Sequence, residues 1–236
     1  MNIQKLTKIS IFTALVFVAT MILRVPIAAT GGYFNFGESV IYAAALLYGP
    51  LVGGLAGGIG AAIADAIGYP IFVPGTFIIK LFEGTITGYV GYKIRLKTKA
   101  VTFWRILSVF FGISLGAATY YIGTNYMAVF GSALIDQLLW AAVALFLGGF
   151  IIFVSFMPQT QTSWQTTGII LGGATMVAGY FLYETLLAAL LPGLGIFAIG
   201  EIPANIGQML VGMAIALPVL RAAQKTLPLE QKMKVD

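Results

Sequence analysis

Long apolar runs, each broken by a short stretch of glycine, proline or polar residues, dominate the pattern along the chain. A helix needs about 20 apolar residues to cross roughly 30 Å of hydrocarbon, and runs of that kind recur from end to end. Proline and glycine mark the breaks between them. The pattern predicts eight membrane segments, at residues 8–29, 37–49, 50–67, 75–94, 103–124, 133–157, 167–190 and 200–221.

These segments predict an all-α fold, a polytopic transmembrane helical bundle that forms a single domain over residues 1–236. The composition agrees, because 59% of the residues are hydrophobic, only 9% are charged and the mean hydropathy is +0.96. Such values lie outside the range of ordinary soluble domains. The apolar runs leave no room for a second, soluble domain, and the main surroundings of the chain are the lipid bilayer.

The distribution of Lys and Arg predicts the orientation in the membrane. If both termini are cytoplasmic, only Arg24 and Lys80 of the 13 cations lie toward the exterior. Cytoplasmic loops carry an excess of Lys and Arg, so we expect a multi-pass protein of the cell membrane with cytoplasmic N and C termini. Topology also accounts for the net charge of +5, which therefore gives no reason to expect nucleic acid as a partner.

Cysteine and histidine are both absent from the sequence. Their absence removes thiolate nucleophiles, imidazole metal ligands and histidine acid–base chemistry. No Gly-x-x-x-x-Gly-Lys-Ser/Thr motif for nucleotide phosphates occurs either. We therefore expect no enzyme, no catalytic residues, no metal site and no cofactor.

The depth of the ionisable residues indicates a function. Charged groups inside a membrane cost a few kcal/mol each on insertion scales, so they normally face a cavity or a partner. In the predicted orientation six of them fall in the exterior half: Glu38, Asp65, Lys80, Glu83, Glu184 and Glu201. The cytoplasmic half is nearly free of such groups, which disfavours a proton or ion path across the whole membrane.

Aromatic and amide side chains share this exterior layer, among them Tyr33, Asn35, Tyr42, Tyr69, Phe72, Tyr180, Tyr183, Asn205 and Gln208. Flat rings with a few hydrogen-bonding groups suit a planar polar heterocycle. Tyrosines can also form an interfacial belt that only anchors the protein. Lys80 can pair with Glu83 at i, i+3 or reach Glu184 or Glu38 across the bundle, so a purely structural ion pair stays open. Asp136 is predicted to lie near the start of the sixth segment and to have no role beyond beginning that helix.

Several short motifs resemble those of the substrate-binding S-components of energy-coupling factor (ECF) transporters, in the branch labelled as riboflavin transporters. They cover residues 5–100 and 167–221, and they are Phe36–Tyr42, Ala43–Pro50, Ala64-Asp65, Gly68-Tyr69-Pro70, Ile79–Gly84, Gly179–Glu184 and Glu201–Asn205. The resemblance implies a six-helix bundle that captures a vitamin on its exterior side. It also implies a membrane T-component and two ABC ATPase subunits as partners.

Two features depart from that family pattern. Residues 103–165 are predicted to be an added helical hairpin beyond the six-helix core. Riboflavin-binding members resemble Pro-Phe-Asn followed three residues later by Lys, whereas this chain has Asn205 followed by Gln208. In the first helix, Ser10 and Ala14 fit the spacing of the small residues that dock the T-component, and they are the predicted partner-docking residues.

The predicted function is capture of a water-soluble vitamin or related micronutrient, with a riboflavin-like heterocycle as the first choice. Lys80 is expected to anchor an acidic or carbonyl group of the ligand. The predicted substrate-binding residues are Asn35, Glu38, Tyr42, Asp65, Lys80, Glu83, Tyr180, Glu184, Asn205 and Gln208. The alternatives are a self-sufficient secondary transporter, for which no internal repeat or ion-coupling site is found, an intramembrane enzyme and an interaction protein.

Overall fold

The computed structural model describes residues 2–27, 32–93, 98–126, 132–156, 161–191 and 198–226. Within these ranges the chain forms eight α-helices, as the apolar pattern predicts, and the all-α bundle is confirmed. They are α1 Ile3–Ile22, α2 Gly37–Tyr48, α3 Pro50–Gly68, α4 Val73–Gly88, α5 Thr98–Tyr126, α6 Ala133–Phe156, α7 Gln161–Leu190 and α8 Ala198–Thr226. Six of the described helices are long and apolar enough to cross a membrane, and α2 belongs to the shorter apolar ones.

The chain between α1 and α2 differs from the prediction. The first membrane segment is predicted to continue to residue 29, but α1 ends at Ile22 and Val25–Ile27 forms a strand, β1. β1 pairs antiparallel with β2, Gly32–Phe34, so that Pro26 lies opposite Tyr33. The reason is Pro26, which lacks an N–H and disfavours the helical conformation at Val25. The resulting hairpin brings Tyr33 back toward the helices.

The chain has two compact units, of which the larger comprises Met1–Ile94 and Trp164–Asp236. The smaller unit, Arg95–Ser163, contains α5 and α6. These two helices pack closely because Gly112 and Gly148 lie against each other's backbone, and a Cβ on Gly116 would lie 3.0 Å from the Ala144 carbonyl. Small residues permit such an approach in lipid. The assignment of 103–165 as an insertion stays a prediction.

Helix α3 is central to the larger unit because its glycines let three neighbours approach. A Cβ on Gly58 would lie 2.9 Å from the Phe77 carbonyl of α4, and one on Gly60 would lie 2.6 Å from the Thr13 carbonyl of α1. A Cβ on Gly53 would meet the Ala45 backbone of α2 at 2.6 Å. The glycine cluster therefore forms helix interfaces. Between α2 and α3, Gly49 makes the turn at a positive φ of 89°, which glycine adopts without strain.

Candidate functional site

A hollow that is partly open to solvent lies in the larger unit. Its empty volume is about 390 Å³ when the open part is included. It is formed by the β1–β2 hairpin, the start of α2, the end of α3, the first half of α4, the last third of α7 and the first half of α8. Its lining residues are Gly32, Tyr33, Asn35, Glu38, Asp65, Tyr69, Phe72, Lys80, Tyr180, Glu184, Glu201, Asn205 and Gln208.

Lys80 is the centre of a buried ionic network in the wall of this hollow. Its ammonium group lies 2.6 Å from Glu38 Oε1 and 3.0 Å from Glu83 Oε2. The hydroxyl of Tyr42 donates to Glu83 Oε1 at 2.7 Å. All four side chains are buried, so these contacts offset the cost of removing three charges from water.

A second polar cluster surrounds Asp65 near the end of α3. Tyr33 donates its hydroxyl to Asp65 Oδ1, and Thr76 donates to Oδ2 at 2.5 Å. The hydroxyl of Tyr180 in turn donates to Thr76 Oγ1 at 3.1 Å. Burial of Tyr33, reinforced by the charge of Asp65, raises the pKa of its phenol above the ordinary value, so Tyr33 stays protonated and keeps its donor.

Aromatic rings form the side of the hollow next to Asp65. The rings of Tyr33 and Tyr69 stack with their centroids 4.7 Å apart. The Arg24 guanidinium lies over both rings, 4.8 Å from the Tyr33 centroid, and donates to the Ala64 carbonyl. Tyr183, in contrast, donates to the carbonyl of Ile71 at 2.7 Å and holds the turn before α4 in place.

Three amide side chains join the hairpin to α8. Gln208 Oε1 accepts from the backbone N–H of Asn35 at 2.9 Å and from its Nδ2 at 2.6 Å. Gln208 Nε2 donates to Asn205 Oδ1 at 3.1 Å, and Asn35 Oδ1 accepts from the N–H of Gly37 at 2.7 Å. The amides therefore fix the position of the hairpin against α2 and α8.

Two carboxylate oxygens at the hollow have no hydrogen-bond partner. They are Glu38 Oε2 and Glu184 Oε2, on side chains that are 1% and 3% exposed. Glu184 and Glu201 line the same hollow. Gly32 packs directly on Glu201, since a Cβ there would lie 2.6 Å from the carboxyl carbon.

The structure brings most of the predicted site residues together. Eight of the ten line the hollow, namely Asn35, Glu38, Asp65, Lys80, Tyr180, Glu184, Asn205 and Gln208. Tyr42 and Glu83 are outside the lining: Glu83 contacts Lys80 of the lining, and Tyr42 donates to Glu83. The predicted docking residues Ser10 and Ala14 are both exposed on α1.

Five lining residues are missing from the predicted set: Gly32, Tyr33, Tyr69, Phe72 and Glu201. A signal existed for four of them, because the aromatic and ionisable residues of the exterior layer include Tyr33, Tyr69, Phe72 and Glu201. Gly32 has no such signal, since its place depends on the hairpin.

Within the described ranges, no three Asp or Glu side chains form a group that could hold a metal ion.

Comparison with known proteins identifies relatives of this chain. Residues 1–152, more than half of the chain, match the family described as "ECF-type riboflavin transporter, S component". The chain is also similar to a protein of Pyrococcus woesei described as "Uncharacterized protein in gap 3'region", with 47% identity over 72 residues. That match spans 30% of this chain and about half, 49%, of the relative. The family match extends through α5 into α6 and ends before α7.

Proposed function

The chain belongs to the family of ECF-type riboflavin transporter S-components, and on that premise we propose that it captures a water-soluble vitamin or related micronutrient on the extracellular side for ATP-driven uptake. A riboflavin-like heterocycle is the first choice of substrate. The observation that carries the proposal is the hollow, which is lined by residues from five helices and a hairpin. The family consists of transporter subunits and is not a class of enzymes.

The chemistry of the walls supports a flat, polar ligand. The rings of Tyr69, Phe72 and Tyr180 offer apolar surfaces for a heterocycle. Asn205 and Gln208 offer amide groups that can exchange their mutual hydrogen bond for bonds to a carbonyl or hydroxyl of the ligand. Aromatic surfaces beside convergent polar groups are a usual feature of small-molecule pockets.

The first helix supports the proposed partners. Ser10 and Ala14 are exposed one turn apart, beside the exposed apolar side chains of Ile11, Leu15 and Val18. Small residues spaced by four let a second membrane helix approach closely. We therefore assign this face of α1 to the T-component, which would connect the chain to two ABC ATPase subunits.

Uptake of radiolabelled riboflavin tests the proposal. The chain is expressed in riboflavin-auxotrophic cells that lack their own uptake system, with the T-component and ATPases and without them. Uptake is expected only with the complete set, and an ATPase variant without its catalytic glutamate is the matched control. Two outcomes would instead establish a secondary transporter. One is uptake by the chain alone that stops when an ionophore collapses the ion gradients. The other is uptake that persists with the inactive ATPases.

The docking surface is tested in the same cells. Ala14→Leu places a bulky side chain on the proposed contact with the T-component and is expected to abolish uptake while capture of riboflavin by the purified chain is unchanged. Leu182→Ala, at an exposed position of α7 outside the assigned face, is the control for a general change of an exposed helix surface. Normal uptake with Ala14→Leu would remove this face from the partner interface.

A further inference from the structure

The two oxygens of Glu38 have different surroundings in the wall of the hollow. Oε1 accepts a hydrogen bond from the Lys80 ammonium at 2.6 Å, whereas Oε2 accepts none. The side chain is only 1% exposed. A buried carboxylate oxygen without a donor is costly, because it has given up its hydrogen bonds to water. Glu38 therefore lines the hollow with one acceptor position that the contacts within the described chain do not use.

Lys80 determines the chemistry of this position. An ammonium group can only donate, and its ion pair with Glu38 holds that carboxyl as a charged group whose oxygens only accept. The same ammonium lies 3.0 Å from Glu83 Oε2 and 5.3 Å from the centroid of the Tyr180 ring, which keep it in place. Glu184 Oε2 also has no partner, but Glu184 forms no ion pair within the described ranges and can donate when it is protonated. Glu38 Oε2, in contrast, requires a hydrogen-bond donor.

Packing against α8 fixes the other end of the Glu38 side chain. A Cβ on Gly212 of α8 would lie only 2.6 Å from the Cβ of Glu38, so the two backbones approach closely at this point. The side chain is thus held at its base by α8 and at Oε1 by Lys80. An acceptor that is fixed in this way loses little freedom when a ligand binds, which favours a selective contact.

The charge of Lys80 indicates that the donor belongs to a neutral group. The ammonium already lies 2.6 Å from the Glu38 carboxylate, and a second cation at the other oxygen of that carboxylate would be repelled by it. A hydroxyl or a ring N–H avoids this repulsion. The rings of Tyr69 and Phe72 line the same hollow and suit the flat apolar part of such a ligand.

We propose that Glu38 Oε2 accepts a hydrogen bond from a neutral hydroxyl or ring N–H of the ligand, and that this contact selects ligands that carry such a donor. The inference rests on the proposed function, because it names a specificity-determining contact of that same site. It gives Lys80 the role of a positioning residue that holds Glu38, in place of the expected anchor for an acidic or carbonyl group. Riboflavin offers both kinds of donor, the hydroxyls of its ribityl chain and one N–H of its ring.

Three neutral flavins test this inference. Lumiflavin has a methyl group in place of the ribityl chain of riboflavin, and 3-methylriboflavin has a methyl group in place of the ring N–H. Their affinities for the purified full chain in lipid nanodiscs are measured by titration calorimetry, with the wild type and with Glu38→Gln. In Glu38→Gln the remaining oxygen accepts from Lys80, and the amide NH₂ takes the place of Oε2. A donor of the ligand then meets another donor.

The readout is the preference for riboflavin over each analogue. We expect at least one of the two preferences to fall about tenfold or more in Glu38→Gln, because a hydrogen bond to a charged group is lost. A fall in the preference over lumiflavin assigns the donor to a hydroxyl, and a fall in the preference over 3-methylriboflavin assigns it to the ring N–H. The inference is overturned if both preferences stay within about twofold of the wild type, or if the wild type does not bind riboflavin.

Glu83→Gln is the matched control, because it neutralises the other carboxyl beside Lys80 and lies outside the lining. Its preferences should stay within about twofold of the wild type even if its affinities fall. An equal fall in both variants would trace the effect to the wall as a whole and overturn the inference. Should Glu38→Gln bind no flavin, Glu38→Asp replaces it, since it keeps the charge beside Lys80 and withdraws the carboxylate by one carbon. The same fall is expected there, and unchanged preferences would again contradict the contact.

The two proposals can fail separately. ATPase-dependent uptake of riboflavin, combined with unchanged preferences in Glu38→Gln, would leave the proposed function standing and overturn the inference about Glu38. A fall in one preference without ATPase-dependent uptake of riboflavin would do the reverse.

Discussion

Two groups of buried carboxylates lie at the same hollow and differ in their surroundings. Glu38 and Glu83 share the ammonium of Lys80, and Glu83 also accepts a hydrogen bond from Tyr42. Glu184 lines the hollow together with Glu201, and Glu184 Oε2 has no donor. Burial and residue type are the same in both groups, so the partners decide what each group does. The first group stabilises the bundle, whereas in the second group one buried oxygen, Glu184 Oε2, has no hydrogen bond to offset its burial.

Breaking the first group should have the largest effect. Lys80→Met removes the only cation between Glu38 and Glu83 and leaves two buried charges without compensation, so we expect the free energy of unfolding to fall by about 3–5 kcal/mol. Thermal unfolding in detergent, followed by tryptophan fluorescence, measures the loss. Capture of riboflavin should weaken about tenfold or more, because the wall of the hollow rearranges.

A compensated variant is the control for this prediction. Lys80→Met combined with Glu38→Gln and Glu83→Gln removes the cation and both charges together, and it should recover most of the lost stability. If the single and the triple variant unfold at the same temperature, the ionic network does not contribute as the distances indicate.

A smaller loss is expected for Glu83→Gln. The amide keeps the shape of the side chain but has only one acceptor for the two donors of Tyr42 and Lys80, so we expect a loss of about 1.5–3 kcal/mol. The same thermal unfolding experiment measures it. Glu184→Gln serves as the control, because it makes the same exchange at a carboxyl whose Oε2 accepts no hydrogen bond, and a melting temperature equal to that of the control would show that Glu83 is not held by these bonds.

Tyr33→Phe probes the cluster at Asp65 and should cost still less, about 1 kcal/mol, since it removes one neutral donor and leaves Thr76 in place. Tyr69→Phe is the matched control, because it deletes a hydroxyl from the ring stacked on Tyr33 without touching Asp65. Equal melting temperatures for the two variants would mean that the bond to Asp65 contributes nothing.

The sequence predicts the helices and the polar end of the bundle because both follow from local rules. Apolar length sets the membrane segments, and the i, i+3 spacing places Lys80 beside Glu83 and Asn205 beside Gln208 whatever the packing. Contacts across the bundle are different. Lys80 could pair with Glu38 or Glu184 by sequence, and only the packing of α2 against α4 selects Glu38.

The hairpin is the part of the site that the sequence does not reveal. Apolarity extends the first segment through Val25–Ile27, while Pro26 ends the helix and starts a strand. Two short strands fold Tyr33 and Gly32 onto the hollow, where Tyr33 reaches Asp65 and Gly32 reaches Glu201. The register of these strands determines both contacts, and three-residue strands are too short for a pattern of alternation to indicate it.

The smallest change in stability, and the sharpest test of the comparison, is expected for Glu184→Gln. The substitution keeps the size of the side chain and replaces a buried carboxyl whose Oε2 accepts no hydrogen bond, so the free energy of unfolding should stay the same or rise by up to about 1 kcal/mol. Glu83→Gln applies the same chemistry to the other group and should act in the opposite direction. Thermal unfolding of the two variants side by side measures the contrast, and an equal loss in both would show that the protein holds Glu184 as firmly as Glu83.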